Sequence, residues 1–202
     1  MKIVHFERLL HVGPFASSAE WQNIRAGLIT AVQAVDWPPG SGKFTIHPES
    51  GKERGKGNGV VPIKKDLMAD LKRQQWKLED PFHVIPGKLP GKFDAAFYSP
   101  HGRIILEWES GNISSSHRAL NKMSLGLLRG SIAAAVLVIP SRPFAYYLTG
   151  RIGNFPELEP YVDLWKSLPV TDGVLEIFVI EHDATSTSVP KIPKGKDGRA
   201  LE

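Results

Sequence analysis

The run IAAAVLVI, residues 132–139, constrains this chain more than any other stretch, because it contains no charge, no turn former and no polar interruption. It is far too short to span a bilayer, and it lacks the alternation of a strand with one wet face. It predicts a strand buried on both faces, in the middle of a mixed or parallel sheet. A second apolar strand is expected at VLEIFVIEH, residues 174–182.

Helices are expected around these strands. Ser17 and Glu20 form a capping box, and Trp21, Ile24, Leu28, Val32 and Val35 recur on one helical face until WPPGSG stops it. Pro62 suits a first helical turn, followed by Ile63, Leu67 and Leu71 at helical spacing. KFTIH reads as a short strand, and GKERGKGNG, with Lys52, Arg54 and Lys56, as a solvated loop. FAYYL and ELEPYVDLW suggest two late helices. From Asp183 the composition turns to Ser, Thr, Pro, Lys and Gly without a core-forming pattern. The expected organisation is one domain over 1–182 and a flexible arm over 183–202, which suits a length of 202 residues.

The chain has no cysteine, which excludes disulfides, thiolate nucleophiles and cysteine zinc sites, so any metal must use oxygen or imidazole ligands. A net charge of +4 permits a polyanionic partner without demanding one. MKIVHFERLLHVGPF lacks the uninterrupted apolar core of a secretory signal, so a cytoplasmic protein with no membrane span is expected.

KFDAAFY and RIILEWES alternate and are joined by SPHG, which predicts a hairpin. With Ser99 to Gly102 as its loop, Tyr98 pairs with Arg103, Phe97 with Ile104, Ala96 with Ile105, Ala95 with Leu106 and Asp94 with Glu107. Phe93, Ala95, Phe97, Ile104, Leu106 and Trp108 then share a buried face, while Asp94, Glu107 and Glu109 share the other, with Lys92 opposite Glu109. Like charges opposed across strands are destabilising. Either the acids lie on a wet face, or a hard divalent cation such as Mg²⁺ sits between them. Glu79, just after a helix, could reach the same site.

Gly111 and Asn112 follow the acids, then a polar helix start, ISSSHR. Serines there are caps by default, yet a helix N-terminus favours anions, and Asn, Ser and Arg read base edges in a major groove. Asn112, Ser114 and Arg118 could therefore read DNA that the carboxylates cut. Leu120, Met123, Leu125, Leu127 and Leu128 give this helix a wide apolar arc, either core or a contact with a symmetry mate.

EWESGNISSSHRALNKMSLGL (107–127), NGVVPIK (58–64), AYYLTGRIGNFPELEPY (145–161) and VPKIPKGKDG (189–198) closely resemble blocks of the BamHI-type type II restriction endonucleases. The likeness runs from about Trp37 to Gly198; the first helix is not matched, and the chain stops at Glu202, short of a C-terminal helix of the family. The resemblance implies a shorter isoschizomer with a restriction-endonuclease-like α/β core, its mixed central sheet flanked by helices. It implies a homodimer, built through helices near 114–129 and 156–168, that cuts double-stranded DNA at the palindrome GGATCC and leaves staggered ends. It also implies two Mg²⁺ ions per active site, held by Asp94, Glu107 and Glu79 with the Trp108 carbonyl, and Glu109 as general base. Lys64, Asn112, Ser114, Arg118 and Arg151 match DNA-contacting positions, and Gly195, Asp197 and Gly198 match an arm that enters the minor groove.

One departure concerns Gly150, which stands where the family pattern has an aspartate able to accept a hydrogen bond from cytosine. Discrimination there would be weaker, would pass to another group or water, or would favour an altered site. The rivals are a same-fold nuclease with such a site and an inactive sequence-specific DNA binder. A metal-dependent phosphatase would not explain the Asn, Ser and Arg cluster.

Overall fold

The expected two-sided strand is β6 (Ile132–Pro140), and every one of its residues is buried. It lies inside a six-stranded sheet in the order β1-β7-β6-β5-β4-β3. The flanking strands are β1 (Lys2–Val12), β3 (Lys77–Phe82), β4 (Gly91–Ser99), β5 (Gly102–Trp108) and β7 (Gly173–Glu181). β5, β6 and β7 run parallel, and the outer pairings are antiparallel, so the sheet is mixed as expected. This computed structural model describes residues 1–53, 55–150 and 152–194.

Alternation along β6 and β7 feeds two cores. Val136, Val138, Phe178 and Ile180 join one, with Trp21, Leu28 and Val32 of α2 (Ala19–Ala34) and Ile63, Leu67 and Leu71 of α3 (Val61–Arg73). Leu137, Ile139, Leu175 and Ile177 join the other, with Leu120, Met123 and Leu127 of α4 (Ile113–Leu128) and Trp165 of α6 (Val162–Lys166). Burial of such side chains contributes roughly 1.5–3 kcal/mol each, and the sheet has no wet face here. Two short helices, α1 (Gly13–Ala16) and α5 (Arg142–Tyr147), complete the layers.

Several expectations change. β1 and β3 were not read from the sequence: in β1, His5, Glu7, Arg8 and His11 interrupt the apolar pattern, and in β3 Pro81 argues against a strand. The 156–168 helix shrinks to 3₁₀ turns at 155–157 and 159–161 followed by α6, because Pro156 and Pro160 break the helical ladder. The segment from Asp183 is also not coreless throughout. β8 (Ala184–Thr185) pairs with β2 (Thr45–Ile46), Ile192 is buried, and the Trp37 indole donates to the Pro190 carbonyl at 2.8 Å. Gly195, Asp197, Gly198 and Arg151 lie outside the described residues. Among the described residues no helix is long and apolar enough to cross a membrane.

Candidate active site

The β4/β5 register is the one expected, from Tyr98↔Arg103 to Ala95↔Leu106, with a tighter turn because Ser99 already pairs with Gly102. The ladder ends at Ala95↔Leu106. Beyond it, carboxylates take over the backbone donors: Asp94 N–H donates to Glu107 Oε2 at 3.2 Å, and Trp108 N–H donates to Asp94 Oδ2 at 2.8 Å. The two acids are thus wedged where the strands part, and their contact follows directly from the register.

The wet-face alternative fails. Phe93 leaves the face expected for it and packs with Ala96, Ile105 and Phe82 in the core beneath α4. Glu107 is 5% exposed. Two lysines from opposite sides of the sheet answer the buried charge: Lys64 Nζ of α3 sits 2.6 Å from Asp94 Oδ1, and Lys122 Nζ of α4 binds Glu107 Oε1 and the Lys92 carbonyl. Burial, then the charge of Asp94, pushes the Glu107 carboxyl up to about 7, against the pull of Lys122. Burial and Asp94 also raise Glu109, while Lys64, Arg118 and Lys122 oppose the rise.

Glu79 does not join this group. Its φ of +54° is a left-handed conformation inside a strand, and its side chain is exposed, 3.5 Å from Lys92. Lys92 is accordingly with Glu79 rather than opposite Glu109. Asp94 and Glu107 offer hard oxygen donors suited to Mg²⁺, and their mutual repulsion favours a cation, so these two fit the metal. Among the described residues, no group of three or more His, Cys, Asp or Glu is placed to hold one. Trp108 is buried, and its indole N–H has no partner among the described residues.

Asn112 is the N-cap of α4, accepting from Ser115 N–H at 3.2 Å, and Ser114 and Arg118 are exposed on the first turns. The cap and the side chains expected to read DNA share one stretch. Gly153 N–H donates to the Gly111 carbonyl at 2.8 Å, bringing the segment after Gly150 against this helix start. Only glycine fits there: a Cβ at 153 would lie 2.9 Å from Ile113 Cα.

A model of the family described as "Restriction endonuclease BamHI" matches residues 1–199. The chain belongs to this family. It is 46% identical over 171 residues to the type II restriction enzyme OkrAI of Oceanobacter kriegii, covering 85% of this chain and 86% of that one. It is 38% identical over 179 residues to the type II restriction enzyme BamHI of Bacillus amyloliquefaciens, covering 84% and 78%. The fold of restriction endonuclease BglII in complex with a DNA 16-mer matches with a TM-score of 0.58 at 12% identity, over 91% of this chain and 79% of that one. This BamHI-family chain is a type II restriction endonuclease, a site-specific deoxyribonuclease.

For this family member the sequence missed Lys122, although its spacing holds a signal. Ser114, Arg118 and Lys122 recur every four residues and line one groove of about 1040 Å³ along α4 and α6. Asp80 was also missed; it is fully buried, with Arg103 at 3.0 Å, Lys77 at 2.9 Å and the Tyr98 hydroxyl at 2.8 Å, and these partners mark it as structural.

Proposed function

We propose that the chain acts in the cytoplasm as a homodimer that hydrolyses both strands of GGATCC in double-stranded DNA, with Mg²⁺, leaving staggered ends. One observation carries the reading: a buried Glu107, repelled by the half-buried Asp94 beside it, lies directly before a helix whose first turns expose Asn112, Ser114 and Arg118. Chemistry and base reading are therefore joined within one strand-to-helix connection.

Asp94 and Glu107, with the Trp108 carbonyl, would hold the metal, and Glu79 would join only by leaving Lys92. Mg²⁺ bound there, as two ions per site, would supply charge stabilisation at the phosphoryl oxygens and a more acidic water. Glu109 would orient the attacking water and accept its proton, and burial, which raises its carboxyl, makes it a better base. The water oxygen bonds to phosphorus, the bond to the 3′ oxygen breaks, that oxygen takes a proton from solvent water, and the products are a 3′ hydroxyl and a 5′ phosphate.

Arg118 suits a guanine edge, and Asn112 and Ser114 supply further polar contacts, as would Arg151. The acid-bound Lys64 and the arm residues Gly195, Asp197 and Gly198 would approach the DNA backbone and minor groove. A palindrome matches a two-fold protein, and the apolar edge of α4 and α6 offers the contact: Leu128 is 46% and Leu164 59% exposed. Gly150 adopts φ +74° with nothing else among the described residues within 4 Å of a Cβ placed there, so readout of that base pair falls to water or another side chain.

The test is to incubate the protein and Mg²⁺ with a plasmid bearing one GGATCC and with a plasmid lacking it, then to sequence the cut ends. One staggered cut in the palindrome is expected. Cleavage of both plasmids gives a relaxed site, the reading Gly150 favours as an alternative. Tight binding without cleavage overturns the enzymatic assignment of these acids.

A further inference from the structure

Lys122 has more contacts than a surface ion pair needs. Its ammonium binds Glu107 Oε1, donates to the Lys92 carbonyl and lies 4.3 Å from the Phe93 ring centroid. The side chains of the pair are 15% and 6% exposed, so this is a largely desolvated contact. The arrangement satisfies the carboxylate only by occupying it: Glu107 Oε1 is taken by Lys122, and Oε2 by the Asp94 amide.

We propose that Lys122 is a positioning residue that serves as the resident countercation of Glu107 and must leave before a divalent cation can bind there. The inference rests on Asp94 and Glu107 being the metal ligands. A site blocked most of the time by an internal cation has its apparent affinity reduced by the fraction of molecules in which it is open. Lys122 therefore gives Glu107 a partner in the absence of metal, and at the same time weakens metal binding to the free protein.

The same geometry gives the displaced ammonium somewhere to go. Lys122 shares its groove with Ser114 and Arg118, eight and four residues earlier on one helix face. Once released from Glu107, the ammonium stays on the face that would meet the duplex, where phosphates offer it a new anion. The lysine thus links cation binding by the acids to the helix that carries the base-reading side chains. A structural ion pair would not be expected to act this way: removing its lysine would loosen Glu107 and weaken the metal site.

The opposite signs make the test direct. Mn²⁺ is titrated by calorimetry into the full-length wild-type chain, Lys122→Met and Lys122→Arg, all without DNA. Lys122→Met is expected to bind Mn²⁺ on the order of fivefold or more tightly than wild type, because the open fraction rises toward one. Lys122→Arg keeps a cation on Glu107 and should bind no more tightly than wild type. Thermal melts give a second readout: Lys122→Met should melt below wild type without metal and gain more from saturating Mn²⁺. Equal or weaker Mn²⁺ binding by Lys122→Met overturns this inference alone. Mn²⁺ binding by none of the three chains overturns the metal assignment of Asp94 and Glu107 together with it.

Discussion

Two of the places where the sheet buries carboxylates are built in opposite ways. At β7, Glu176 is 1% exposed and receives both nitrogens of one guanidinium, Arg25 Nε at 2.8 Å and Nη2 at 2.6 Å. Phe6 and Phe178 flank that guanidinium, with centroids at 4.5 and 5.5 Å. One acid meets one planar partner in a bidentate fork, and the charge is fully answered. At the β4/β5 fork, two acids touch each other and each is met by a separate lysine, a compact point charge on a flexible stem. The first arrangement is finished as it stands; the second retains repulsion that a stronger cation would remove. Burial alone therefore does not mark a functional acid, whereas the quality of its compensation does.

The largest test of that contrast is catalytic. Glu107→Ala, or Glu109→Lys, should lower cleavage by roughly 10²–10⁴-fold or more while leaving binding of the duplex within a few-fold. Full cleavage by either variant, read on plasmid under saturating Mg²⁺, would remove the site from the β4/β5 fork.

Glu176→Gln should do the reverse. It leaves Arg25 beside a neutral group and should cost roughly 3 kcal/mol of folding stability, with turnover per folded molecule unchanged. Urea denaturation measures the first and single-turnover cleavage the second. An unchanged unfolding midpoint would make the two acids equivalent after all.

A pH series sharpens the comparison further. The folded Glu107 carboxyl, at about 7, lies above its ordinary 4.5, so between those values the native state holds a proton that the unfolded chain has released. Its contribution to stability is complete at the acidic end and is lost as pH rises through about 7. Glu107→Gln lacks that loss, so without divalent metal its melting temperature should gain on wild type between pH 5 and pH 8. A difference independent of pH in that window would contradict the burial and Asp94 repulsion acting on Glu107.

The smallest effect belongs to Glu79. Its left-handed φ disfavours a side chain, so Glu79→Gly should raise stability by under about 1 kcal/mol. If Glu79 swings in to the metal, the same variant loses cleavage; unimpaired cleavage would confine the site to Asp94, Glu107 and Glu109.

Much of this was legible in the chain itself. The period of two gave the pairs from Tyr98↔Arg103 to Ala95↔Leu106 as they stand, and beyond them Asp94 and Glu107 meet through side chain and backbone amide rather than as a ladder pair. The uninterrupted IAAAVLVI run demanded a covered strand and became one. Local pattern sufficed because strand alternation and hairpin pairing join residues close in sequence, where turn and side-chain sterics leave few choices. β1 stayed hidden because its pairing with β7 spans most of the chain, and four of its side chains break the apolar pattern that would mark a strand.

What only the tertiary structure decided was the answer to the acids' charge. Lys64 arrives on α3 from one side of the sheet and Lys122 on α4 from the other, so which ammonium meets which carboxylate depends on how each helix is rotated and seated. The same is true of Glu79, turned away by a left-handed backbone in a strand that the sequence did not announce. Sequence order determined that two acids would meet, because strand pairing is a local rule. Only packing on both faces determined what sits beside them, because a helix's orientation is fixed by contacts spread over the whole core.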